Sequence, residues 1–166
     1  MYTSKEVVKM GDLIVTSTAF EYGGLIPKQY TARGEEKSPP LQIKGVDPLA
    51  KSIAIVVDDP DSPIPFVAFT HWVVYNIPPD IAVIEENIAR EEIIESMGGA
   101  LQGKNGYRRI GYAGPKPPFG THTYRFKVYT LDTVLNLKPG ATKKQLEKAM
   151  EGHILQKGLL EGKFRN

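Results

Sequence analysis

The sequence predicts a mainly β protein, an antiparallel β-sandwich with one C-terminal helix. Three observations point there. Residues 66–77 and 122–131 are long stretches rich in β-branched and aromatic residues. The 16 glycines and 13 prolines are scattered between short apolar runs, as turns between strands require. One stretch, beginning at Thr142, combines a capping-box start with apolar residues at helical spacing. At 166 residues the chain reads as a single domain, 1–166, long enough to bury a core without disulfides.

In chain order, residues 13–20 (LIVTSTAF) predict a strand that Gly23 and Gly24 break. Residues 28–35 predict a short strand running into a turn, and Pro39 and Pro40 exclude a central strand after it. Leu41, Gln42 and Ile43 predict a brief edge strand. The apolar run 53–57 has the length of a buried strand. Residues 66–77 are apolar on both faces, which places them mid-sheet with His71 on the side of Phe69, Val73 and Tyr75. Residues 84–97 mix apolar and acidic residues at roughly helical spacing, leaving a short helix or a loop open, and the glycine- and proline-rich stretch 98–120 fits neither element. In 122–131, alternation puts His122, Tyr124, Phe126 and Val128 on the buried face, opposite Thr123, Arg125 and Lys127. After Thr142, residues Leu146, Ala149, Met150 and His153 share one helical side until Gly158, and residues 159–164 close the chain as a short strand.

The 21 Lys and Arg nearly balance the 19 Asp and Glu, and no basic block stands out, which disfavours nucleic acid as a partner. The absence of cysteine excludes a disulfide scaffold, a thiolate metal site and a cysteine nucleophile, and fits a reducing compartment. Residues 1–10 lack the apolar core of a signal peptide and no run approaches a membrane span, so a cytoplasmic protein without stable membrane insertion is expected.

Chemistry gathers at the end of the apolar run, in Asp58, Asp59, Pro60, Asp61, Ser62 and Pro63. The prolines stiffen the loop, and Asp59 and Asp61 face the same way if the chain is extended. Such a loop is either a tight turn whose Asp side chains bond their own backbone or a site. His71 and His122 lie on apolar strand faces. An aspartate within about 4–6 Å of either ring favours its protonated form and makes it a donor to an anion. Residues 115–121 can expose backbone N–H groups in an anion-binding concavity. Tyr124 is a phenolic donor to the same ligand or an ordinary strand aromatic, and His153 reads as a packing residue. Ser62 has no nucleophile-elbow context, so a catalytic triad is not assigned. His71, His122 and Asp59 are metal-ligand types without a close-spaced pair, and no metal is assigned either.

Residues 30–35 (YTARGE) with 38–41 (SPPL), 59–63 (DPDSP) with 71–76 (HWVVYN), 111–118 (GYAGPKPP) with 122–124 (HTY), then 152–155 (GHIL) and 160–162 (LEG) run nearly end to end. As an ordered set they resemble the phosphatidylethanolamine-binding protein family, also called the Raf kinase inhibitor protein family, in its bacterial and archaeal branch. The resemblance implies a sandwich with a small cavity for phosphate or phosphorylethanolamine-like head groups. By motif position Asp59, His71, Pro117, Pro118, His122 and Tyr124 bind the ligand, with Asp61 and Gly114 in support; Asp61 is either a further ligand contact or only the turn's internal clasp, and the clasp is the expectation. It implies no catalytic residue and no cofactor. Thr70, Thr123 and Phe119 depart from the family's pattern, which suggests a less charged rim. The expected function is non-catalytic binding of a small anion. The alternatives are inhibition of a serine protease or another enzyme through a surface loop and, behind it, a hydrolase; a homodimer is compatible with all three.

Overall fold

A computed structural model describes residues 12–64 and 67–166 of the chain. Its strands are β1 (Ile14–Thr16), β2 (Leu41–Lys44), β3 (Ser52–Asp59), β4 (Phe69–Ile77), β5 (Val83–Ile84), β6 (Ile93–Ile94), β7 (Ala100–Gln102), β8 (Thr121–Leu131) and β9 (Ile154–Arg165). They form two antiparallel sheets, β1-β2-β5 and β6-β7-β4-β3-β8-β9. Every residue of β3 is buried, because β4 and β8 pair with its two edges and both faces are covered. On one face Ile53, Ile55 and Val57 join Trp72, Val74, Phe126 and Val128 against Val15, Leu41, Ile43 and Ile84 of the small sheet. On the other, Ala54, Val56, Val73 and Tyr75 pack beneath Leu146 and Met150 of α1 (Lys143–Met150). The helix starts as its sequence dictates: Gln145 N donates to Thr142 Oγ1 at 3.2 Å, and Thr142 N donates to Gln145 Oε1 at 2.9 Å.

Several expectations are corrected. Residues 28–30 are a 3-10 turn rather than a strand. β2 lies in the middle of its sheet, not at an edge, because β5 pairs with its second side. Residues 84–97 form no α-helix; they hold β6 and a 3-10 turn over Glu95–Met97. The irregular stretch 98–120 contains β7, which Gln102 ties down by accepting from Trp72 Nε1 at 2.8 Å and donating to Ala89 O and Glu91 O at 2.7 Å each. The helix stops at Met150. Asp132 N donates to His153 O at 3.0 Å, drawing the chain into β9, and exposed His153 bonds Asp132 Oδ1 at 2.8 Å instead of packing on a helix. Phe66, the expected start of β4, and residues 1–10 lie outside the described residues. No helix among the described residues is long and apolar enough to cross a membrane.

One correction bears on the site. Along β3 and β4 the pairing runs Val56 with Val73 and Val57 with Trp72, then slips so that Asp58 meets Thr70 and Asp59 meets Phe69. The extra residue is His71, so a β-bulge separates it from the alternation that Val73 and Tyr75 obey. Those two belong to the helix-side cluster, whereas the His71 ring meets Phe69 and Tyr124 edge-on, at centroid distances of 5.1 and 5.2 Å.

Candidate functional site

The acidic loop is a closed turn that also forms one wall of a cavity. Asp59 Oδ1 accepts from Asp61 N at 2.8 Å, the Asx-type bond that closes the turn. Its other oxygen, Oδ2, accepts from His122 Nδ1 at 2.6 Å. The internal clasp is therefore made by Asp59. Asp61 reaches outward, its Oδ2 accepting from Thr123 N at 2.8 Å, and so fastens the loop to β8. Both the Asp59 and the His122 side chains are buried, at 7% and 8% exposure.

His71 is held from the opposite wall. Its Nδ1 donates to Ala113 O at 2.6 Å, while Ala113 N donates back to His71 O at 2.8 Å. Burial lowers its pKa below the ordinary histidine value, with the bond to Ala113 and the charge of Asp59 opposing. A neutral ring whose Nδ1 carries the proton leaves Nε2 as an acceptor. Gly114 makes this wall thin enough: a Cβ there would lie 2.8 Å from Ala32 N, and its own N donates to Glu36 Oε2 at 2.9 Å. A side chain would push Ala113 away from His71.

Between the two imidazoles stands Tyr124. Its ring lies 5.2 Å from that of His71, nearly perpendicular, and 6.4 Å from that of His122, roughly parallel. The residue is 1% exposed, and its hydroxyl is the one buried side-chain polar atom without a hydrogen-bond partner among the described residues. Burial first, then the charges of Asp59 and Asp61, raise its pKa well above the ordinary phenol value, so it stays a donor. A buried, partnerless hydroxyl costs about 1–3 kcal/mol.

These groups line a cavity of about 180 Å³, together with Pro117 and Pro118. A hollow of about 500 Å³ between residues 136–141 and α1 is larger but contains no histidine or carboxylate. Four lining residues escaped sequence reasoning: Phe69, Ile64, Tyr107 and Lys116. Lys116 supplies a cation where a weakly charged rim was expected. Its position between Pro115 and Pro117 in the second motif was the available signal, whereas Tyr107 had none. Ser62 also lines the cavity, but its Oγ accepts from Ile64 N at 3.4 Å and bonds no histidine. Asp59, His71 and His122 converge without forming a metal-ligand cluster, and no other group of three such side chains does so among the described residues.

The chain is similar to proteins across archaea and bacteria. It is 48% identical to a UPF0098 protein of Pyrococcus abyssi over 92% of this chain and 85% of that one. A UPF0098 protein of Methanothermobacter thermautotrophicus is also 48% identical, over 89% and 95% of the respective chains. Among solved structures, a putative phosphatidylethanolamine-binding protein homolog from Chlamydia trachomatis matches with a TM-score of 0.85 at 39% identity, covering 94% of this chain and 99% of that one. Escherichia coli YbcL, described as a member of the mammalian PEBP family, matches with a TM-score of 0.86 at 26% identity over 93% and 99%. The family model for phosphatidylethanolamine-binding protein matches residues 16–165. From the last residue of β1 to the last residue of β9, then, the chain belongs to the phosphatidylethanolamine-binding protein family.

Proposed function

We propose that the cavity binds a small phosphate-containing ligand without turning it over. The observation that carries this reading is the buried, partnerless Tyr124 hydroxyl set between two imidazoles whose Nδ1 atoms are already engaged. A hydrogen phosphate complements such a set, since it presents acceptor oxygens to Tyr124 and Lys116 and one O–H to His71 Nε2. The ammonium of a phosphorylethanolamine-like ligand would find the carboxylate side of the cavity at Asp59. Non-catalytic binding is supported by the lining itself: no hydroxyl or amine among the described lining residues is hydrogen-bonded to a histidine base, as nucleophilic catalysis requires.

The test is a titration with phosphate and with phosphorylethanolamine at millimolar concentration, followed through the histidine ring resonances. The rings of His71 and His122 shift, that of exposed His153 does not, and His122→Ala abolishes the response. Unchanged His71 and His122 resonances, or product formation from phosphate or carboxylate esters, would count against the reading.

A further inference from the structure

Beside the cavity, residues 105–111 form a loop whose shape is set by one buried side chain. Asn105 Oδ1 accepts from Tyr107 N at 2.9 Å and, at 3.4 Å, from Arg109 N, while its Nδ2 donates to Gly111 O at 3.0 Å. Backbone bonds from Asn105 N to Arg109 O and from Arg108 N to Asn105 O, each 2.9 Å, close the turn. The turn holds Arg108 at φ +62°, a left-handed conformation that residues with a side chain rarely adopt. A loop fixed in this way holds the backbone at Tyr107 and Arg109 in place.

Tyr107 packs edge-on against Phe69 at 4.9 Å and lines the phosphate cavity. It also lines an adjoining groove of about 520 Å³ that contains Glu36, Arg90, Arg109 and Lys116. Tyr107 and Lys116 are thus shared by the two concavities. Within the groove Arg90 is engaged, donating to Tyr112 O at 3.0 Å and to Glu36 O at 2.5 Å. The Glu36 carboxylate is occupied by Gly114 N. The side chains of Arg109 and Lys116 have no hydrogen-bond or ion-pair partner among the described residues. Three cationic side chains against one carboxylate leave this groove positive, and of its two uncommitted cations Lys116 also lines the cavity.

We propose that Arg109, with Lys116 and the wall made by Tyr107, forms a second anion subsite. The site then takes a small molecule that places its phosphate in the cavity and a second anionic group, a carboxylate or another phosphate, in the groove. This rests on the phosphate reading of the cavity and adds a selectivity to it. A guanidinium offers paired N–H donors to such a group, and Asn105 is a positioning residue that fixes the backbone from which it extends.

Glycerol 3-phosphate and 3-phosphoglycerate test this directly, because they share a phosphate on a three-carbon skeleton and differ at the far end, a hydroxymethyl group in the first and a carboxylate in the second. By calorimetric titration 3-phosphoglycerate binds about tenfold more tightly, the worth of one charge-assisted contact. In Arg109→Gln that advantage falls to within about twofold while the affinity for glycerol 3-phosphate is retained. Equal binding of the two by the unaltered protein, or an advantage that survives Arg109→Gln, overturns the second subsite and leaves the phosphate cavity standing. Failure of both compounds to bind overturns the cavity reading and the subsite together.

Discussion

Asp58 and Asp59 are neighbours at the end of β3, yet strand alternation sends them to opposite faces of the same sheet. Asp58 is fully buried on the helix side and saturated. Arg125 donates to it from Nε at 2.8 Å and from Nη2 at 3.1 Å, and Lys127 and Lys143 approach Oδ2 at 2.9 and 2.8 Å. Burial pushes its pKa up, but the three cations more than offset this and hold it at about 2, below the ordinary 3.8. Asp59 has one backbone donor and one imidazole, and next to it lie an acceptor nitrogen and an unused hydroxyl. The pair teaches that a buried charge is not by itself a site. Asp58 anchors β8 and α1 because every valence is met, whereas the Asp59 face keeps one buried donor, the Tyr124 hydroxyl, unmet, which is what the proposed ligand site rests on.

The largest effect is expected at Asp58. Asp58→Asn leaves three cations around a neutral group, and should cost about 2–3 kcal/mol in urea unfolding, moderated because those cations are partly solvated. Phosphate binding should stay within about twofold. A loss below about 1 kcal/mol would show that the cluster is not an anchor. A smaller effect follows from acid. Since the folded-state pKa of Asp58 is depressed, the unfolded chain takes up the proton first, so its contribution of about 2 kcal/mol is present above pH 4 or so and fades as pH falls toward about 2. Asp58→Asn should lack this acid-dependent component when unfolding midpoints are compared across that interval. The finest test is on the other face. Tyr124→Phe removes a hydroxyl with no partner, so the free protein should be unchanged or up to about 1 kcal/mol more stable, while phosphate binding weakens by fivefold or more. Full affinity in this variant would sink the role given to the hydroxyl.

Much of this arrangement was legible in the residues. The uninterrupted apolar run of β3, the alternation of β8 and the Thr142 and Gln145 capping box each act locally, and β3, β8 and the start of α1 formed where expected. β6 and β7 were not legible, because such short strands exist through tertiary support such as the Gln102 bonds. β9 was read as a short strand from 159 although it runs over Ile154–Arg165, since glycine weakens a strand pattern. Its Gly162 has a packing reason: a Cβ there would stand 2.6 Å from Phe20 and 2.7 Å from Ile26. At the site, residue types near strand ends pointed to Asp59, His71, His122 and Tyr124. The face that His71 occupies did not follow from its own strand, because a register slip is a property of two strands together.

That slip makes the position of His71 a matter of chain length as well as chemistry. β4 carries one residue more than β3 needs at this point and a second near Asn76, which sits at φ +54° with its amide bonded to Leu135 N and O at 2.8 and 2.9 Å. Deleting Thr70 would restore the plain ladder and return the histidine to the alternation, a full reversal of side obtained without altering the imidazole. A tally of which residues are present would miss such a change. The spacing between Asp59 and Trp72 is therefore as much a part of this pocket as the side chains that line it.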